Sequence, residues 1–127
     1  MKQKETNTSV LIFDEEIGIL IVKAKPDVDL KLEDAERDFK TGQELVNYKK
    51  TPVLSDSREL SYSCKEVRDF YAQPIIANHI SAMAILIDSL PGRLLGNFFM
   101  KFNNPPYPVK VFNDETAAIE WLKKFLL

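Results

Sequence analysis

Cysteine, histidine and tryptophan each occur once in this 127-residue chain, and glycine only four times. With Cys64 alone, no intramolecular disulfide forms, which fits a reducing compartment. Cys64 and His79 are the sole candidates for a thiol–imidazole pair. His79 is expected at the opposite end of the sheet from Cys64, so catalysis by this pair is not expected. No cluster of ligands has the spacing of a metal site, and no motif assigns a catalytic residue. Charge of one sign is also lacking. Seventeen Lys and Arg against nineteen Asp and Glu leave a net charge of −2, without the basic footprint that nucleic acid demands. The longest apolar run, Ala82 to Ile87, is far too short to cross a membrane. Met1 to Asn7 lacks the apolar core of an export signal, so a cytoplasmic location is expected. Gly92-Arg93-Leu94-Leu95-Gly96 has the wrong spacing, and follows a proline, for a dinucleotide loop. No cofactor is expected.

What is present suits one globular domain over residues 1–127, with 45% hydrophobic and 28% charged residues. Residues 1–7 are polar and expected to be flexible. Val10–Phe13 and Ile17–Val22 predict two strands joined by a tight turn at Asp14-Glu15-Glu16. Leu32, Ala35, Phe39, Gly42 and Val46 recur with helical period. Pro52–Asp56 predicts a third strand. Ser63-Cys64-Lys65-Glu66 has the pattern of a capping box before the helix carrying Val67, Phe70 and Tyr71. Pro74 ends that helix or opens a short extra turn.

Met83–Ile87, apolar without alternation, predicts a strand covered on both faces. Asp88-Ser89 is expected to cap a helix with Pro91 in its first turn. That helix carries Leu94, Leu95, Phe98, Phe99 and Phe102 as one broad apolar face, with Arg93, Asn97 and Lys101 on its polar face. Val109 and Val111 alternate with Lys110 and Phe112 in the last strand. Asn113-Asp114 caps a final helix with Ala118, Trp121, Leu122 and Phe125 on its apolar stripe. The order β-β-α-β-α-β-α-β-α predicts an α/β fold. It has a five-stranded, mostly parallel sheet, an antiparallel edge strand and about four helices.

This order resembles the STAS domain, the fold of bacterial anti-sigma factor antagonists. Those domains run from a strand ending in Asp-Leu-Ser to a Ser-Ser-Gly at the next helix start, whose second serine is the regulatory phosphorylation site. Asp56-Ser57-Arg58-Glu59-Leu60-Ser61-Tyr62-Ser63 has the same length, and Ser63 falls on the phosphoserine position. Tyr62-Ser63-Cys64 stands where the family has Ser-Ser-Gly. A closer resemblance is to uncharacterised bacterial proteins classed as STAS-like or CRAL-TRIO-like. It is carried by Ser89-Leu90-Pro91-Gly92-Arg93-Leu94-Leu95-Gly96-Asn97-Phe98-Phe99 and by Pro108–Glu115 before Trp121-Leu122. The STAS resemblance implies a regulatory module that engages a protein partner or itself. The CRAL-TRIO resemblance implies an apolar or lipid ligand.

Two sets of positions follow. Ser63, with Ser61 as a weaker alternative phosphoacceptor, is the candidate regulatory site, while the ordinary reading of Ser63 is a plain helix cap. Asp56, Arg58, Arg93, Asn97 and Phe98 are candidates for binding a partner or ligand, since ligands of open α/β sheets gather at the carboxyl ends of the strands. Asp56, Arg58, Ser63 and Arg93 are expected on one shared rim. Gly92 and Gly96 are expected to admit a ligand or a second chain close to the helix. Phe98, Phe99 and Phe102 would either fill the core or line an apolar pocket.

Overall fold

The computed structural model describes residues 1–126. Strands β2 (Ser9–Asp14) and β3 (Ile19–Ala24) form the expected antiparallel hairpin. The Asp14 carboxylate accepts the Glu16 and Ile17 amides at 3.1 and 3.3 Å, and Gly18 supplies the positive φ that closes the turn. β5 (Thr51–Asp56), β7 (Ile80–Leu86) and β8 (Val109–Phe112) then add in parallel, and with β1 (Lys2–Glu5) the order is β1-β2-β3-β5-β7-β8.

The sixth strand, β1 (Lys2–Glu5), lies where residues 1–7 were expected to be flexible. It covers β2, so β2 is not the edge. All four β1 side chains are exposed. An edge strand of this kind is held by backbone hydrogen bonds, and alternating hydrophobicity has no cause to arise there. A second, two-stranded parallel ladder, β4 (Asp29–Leu30) with β6 (Tyr62–Ser63), joins the loops that leave β3 and β5.

The chain steps across β3, β5, β7 and β8 in one direction. Right-handed crossovers therefore place the three connecting helices on one face of the sheet. These are α1 (Leu32–Leu45), α2 (Lys65–Tyr71) and α3 (Leu90–Phe98). A 3₁₀ turn at Pro74–Asn78 precedes β7, and a π turn at Phe99–Asn103 extends α3 until Asn104 enters the left-handed region. Helix α4 (Glu115–Leu122), capped by the Asp114 carboxylate on Ala117 N–H at 2.9 Å, covers the other face alone. There Ala118 and Leu122 pack against Leu54, Ala82, Ala84 and Leu86. The small residues let helix and sheet approach closely.

Three local expectations change. The capping box does not form at Ser63, because Ser63 pairs with Leu30 in the β4–β6 ladder and the chain stays extended one residue longer. Cys64 takes the cap position with no side-chain cap hydrogen bond. At Gly92 and Gly96 the close approach is made by the protein's own side chains. A Cβ on Gly92 would collide with Ile87, and one on Gly96 would come within 2.9 Å of Val111. The broad apolar face of α3 also divides. Phe99 turns inward and is buried, whereas Leu90, Leu94, Phe98 and Phe102, four residues apart, lie 46–64% exposed.

Candidate functional site: an apolar cavity under three helices

Between the sheet and helices α1–α3 lies a cavity of about 450 Å³. Its floor is the upper face of β3, β5 and β7, with Leu20, Val22, Val53, Met83 and Ile85. Val67 of α2 and Leu95, Gly96 and Phe99 of the α3 segment form the opposite wall. The Ser57–Ser63 loop and the β4–β6 ladder close over the carboxyl ends of the strands, while Gln43 and His79 stand at the amino ends. The volume falls within the range of roughly 300–1,000 Å³ typical of small-molecule sites, and the lining is predominantly apolar.

The polar groups are few, and most are already satisfied. At the carboxyl end, Arg58 Nε and Nη2 donate to the two oxygens of Asp56 at 3.0 and 2.8 Å. Glu115 lies 3.8 Å from the same guanidinium. Burial pushes the Asp56 carboxyl upward. The Arg58 hydrogen bonds and charge outweigh burial and hold it below the ordinary value. Arg58 is correspondingly raised, chiefly by its hydrogen bond to Asp56. The Ser55 and Ser57 hydroxyls are 3.3 Å apart.

Elsewhere along the lining, Asp38 is buried on α1 and accepts from the hydroxyls of Thr6, Thr8 and Ser9 at 2.6, 2.8 and 2.8 Å. This clasp fixes the start of β2 to the helix. His79 Nδ1 meets Gln43 Nε2 at 3.0 Å, and its ring packs edge-on against Phe39. Tyr107 donates to the Tyr71 carbonyl at 2.8 Å, and burial pushes both phenols above their ordinary value.

Arg68 of α2 differs. Its Nη1 donates to the Ser63 carbonyl at 3.1 Å and its guanidinium lies 5.7 Å from the Phe98 ring centre, but its buried Nε has no partner.

The structure thus gathers Asp56, Arg58, Ser61 and Ser63 around one end of the cavity. It does not bring Arg93 and Asn97 to them. Those two lie on the other flank of α3, over a shallow depression with Ile87, Val111, Phe112 and Asn113. The rim expected to be continuous is split by α3, because Gly92 and Gly96 seat that helix tightly between Ile87 and Val111. Phe98 faces outward, stacked on Phe102 with ring centres 4.5 Å apart. Ser63 is 9% exposed, whereas Ser61 is on the surface. Among the described residues, no three His, Cys, Asp or Glu side chains come together as a metal site, and no helix is long and apolar enough to cross a membrane.

Two cavity groups escaped the sequence patterns. Asp38 occupies a core position on the α1 stripe, three residues after Ala35 and four before Gly42. A carboxylate there is a readable signal beside the Thr6–Ser9 hydroxyl cluster. Arg68 carried no such signal, since an arginine next to Val67 on an amphipathic helix is ordinary.

Residues 13–126 match a family described as a domain of unknown function, DUF7793. The chain belongs to that family. No curated protein matches it. Among solved structures, this DUF7793 chain is similar to an uncharacterised DUF3478-family protein of Shewanella loihica PV-4 with a SpoIIAA-like fold. The TM-score is 0.61 at 20% identity, over 95% of this chain and 90% of that one. A protein of unknown function from Arthrobacter sp. FB24 aligns with a TM-score of 0.32 at 27% identity, over 94% of this chain and 95% of that one. The Shewanella likeness shows a SpoIIAA-like, hence STAS-like, fold for this DUF7793 domain.

Proposed function

We propose that this DUF7793 domain is a binding module that carries or senses a small, largely apolar ligand held between the sheet and helices α1–α3. The cavity of about 450 Å³ carries this proposal. A void of that size lined by Val, Leu, Ile, Met and Phe forfeits dispersion contacts that ordinary core packing would make, and a ligand restores them. The neutral polarity-sensitive dye N-phenylnaphthylamine tests it. The dye should brighten on binding the wild-type chain, and Leu95→Trp, which projects an indole from α3 into the space, should weaken binding at least about tenfold. A wild-type chain that leaves the dye dark overturns the proposal.

The exposed stripe of Leu90, Leu94, Phe98 and Phe102 favours a second reading, engagement of a protein partner or a second copy. Helix α3 would then present its outer face to the partner and its inner face to the ligand. Ser61 is the accessible phosphoacceptor in this reading. Modification of Ser63 requires the β4–β6 ladder to open first. Ser61→Asp and Ser63→Asp, compared with their alanine counterparts in pulldowns, test it. Equal recovery of the same partners by all four variants overturns the regulatory role of these serines.

A further inference from the structure

We infer that the cavity selects an amphiphile with a single carboxylate head, and that Arg68 receives that head; the inference rests on the proposed ligand-binding role. Five residues with full side-chain charge line the cavity: Asp38, Lys49, Asp56, Arg58 and Arg68. Four are accounted for. Asp38 is saturated by three hydroxyls. Asp56 and Arg58 satisfy each other through two parallel hydrogen bonds. Lys49 is exposed to solvent beyond the end of α1.

Arg68 remains. Among the described residues no carboxylate lies within 4 Å of it. Asp69, its neighbour in sequence, is engaged by Lys65 at 2.7 Å and by Asn103 at 2.8 Å. Arg68 spends Nη1 on the Ser63 carbonyl, and the buried Nε donates to nothing. A buried guanidinium donor without a partner costs free energy until an acceptor reaches it.

The Nε–Nη2 edge is the one without an acceptor among the described residues; Nε itself is shut off from solvent, so a ligand carboxylate reaches it only as the side chains around it give way. Arg58 uses that same edge to hold both oxygens of Asp56, so the protein itself displays the geometry that Arg68 offers. The Arg68 guanidinium sits 5.7 Å from the Phe98 ring centre, a cation–π contact that helps fix its position. Apolar side chains of β5, β7 and α3 lead away from this end, where a hydrocarbon chain would lie. Among the described residues that line the cavity, the other cations are Arg58, paired with Asp56, and Lys49, which is solvent-exposed beyond the end of α1; Lys65, near Arg68 in sequence, is paired with Asp69. The charge balance therefore suits a monoanionic, planar carboxylate better than a phosphate dianion.

The test uses the full chain and three ligands of equal chain length: laurate, dodecanol and dodecyl phosphate, each competing with bound N-phenylnaphthylamine. Laurate should bind about tenfold tighter than dodecanol, the gain of one charge-assisted pair. Arg68→Gln should bring laurate down to the dodecanol level and leave dodecanol unchanged, the unchanged alcohol reporting an intact cavity. Arg68→Lys should keep part of the preference for the acid. Equal affinity of acid and alcohol in the wild type overturns the inference but spares the cavity. Equal weakening of both by Arg68→Gln also overturns it. If Arg68→Gln does not fold, an Arg68→Lys chain without acid preference has the same force. Tighter binding of dodecyl phosphate than of laurate overturns the carboxylate assignment. If dye, alcohol and acid all fail to bind, the ligand-binding role falls, and this inference with it.

Discussion

The two faces of one sheet are finished in opposite ways. On the α4 face, Leu54, Ala82, Ala84 and Leu86 meet Ala118 and Leu122, all of them at zero exposure. On the other face, three helices, with far more apolar surface to offer, leave a void of about 450 Å³. More helices cover that face, yet it packs less completely. The cause is in the side chains and the connections. On the α4 face, small side chains at Ala82, Ala84 and Ala118 let one helix settle onto the strands. Three crossover helices are tethered at both ends, and the β4–β6 ladder and the Asp38 clasp hold their loops in place. An incompletely packed face held open by such tethers suits a binding site, where space must survive the hydrophobic pressure to close it.

Adjacent residues of β7 give the sharpest test of that contrast. Leu86→Ala cuts into the close-packed α4 face and should cost about 4 kcal/mol. Ile85→Ala, on the cavity floor, should cost about 2 kcal/mol, because part of its surface already faces empty space. Urea denaturation of both variants measures the difference, and equal losses would mean that the cavity face is packed as tightly as the other.

A smaller effect is expected at the tether. Asp38→Ala strands the buried Thr8 and Ser9 hydroxyls and should cost about 2–3 kcal/mol. Hydrogen exchange should show faster opening of β1 and the start of β2, with α4 unaffected. Uniform loss of protection would show that the clasp supports the whole domain rather than one face.

The smallest effect concerns pH. Asp56 has its pKa lowered in the fold, so its contribution is present above the unfolded-state value of about 4 and is lost as pH falls through the folded value. In Arg58→Met the guanidinium's hydrogen bonds and charge are lost, while burial, the residue-58 amide and Lys23 still act, so the Asp56 pKa rises relative to the wild type. The contribution that is lost as pH falls then shrinks. Relative to the wild type, Arg58→Met should therefore be more stable at pH 4 than at pH 7, by less than about 1 kcal/mol, since Arg58 is partly exposed. Denaturation midpoints at both pH values check this, and parallel pH profiles would remove Arg58 as the cause of the lowered value.

Much of the fold was legible in the residues. The α/β class, the parallel strands, the turn at Asp14 and the caps at Ser89 and Asp114 all rest on local patterns, and local backbone chemistry satisfies them. β1 was not legible, because its side chains face water and carry no alternation. Ser63 had the spacing of a cap, but pairing with Leu30 claimed it for a ladder between residues far apart in the chain. Asp56 and Arg58 were named for their place at a strand end and Ser63, with Ser61, for the phosphoserine position of the STAS resemblance, and all four line one end of the cavity. Arg93 and Asn97 were grouped with them only because nothing in a one-dimensional pattern says on which flank of α3 a polar side chain falls.

Amino-acid order alone settled which segments become the four helices and the strands β2, β3, β5, β7 and β8, and in what sequence they alternate, since periodicity and capping act over a few residues. The empty volume under α1–α3, the outward turn of Phe98 and Phe102 and the unanswered donor of Arg68 were decided by packing. Each depends on what lies across from a side chain, and that neighbour comes from a distant part of the chain.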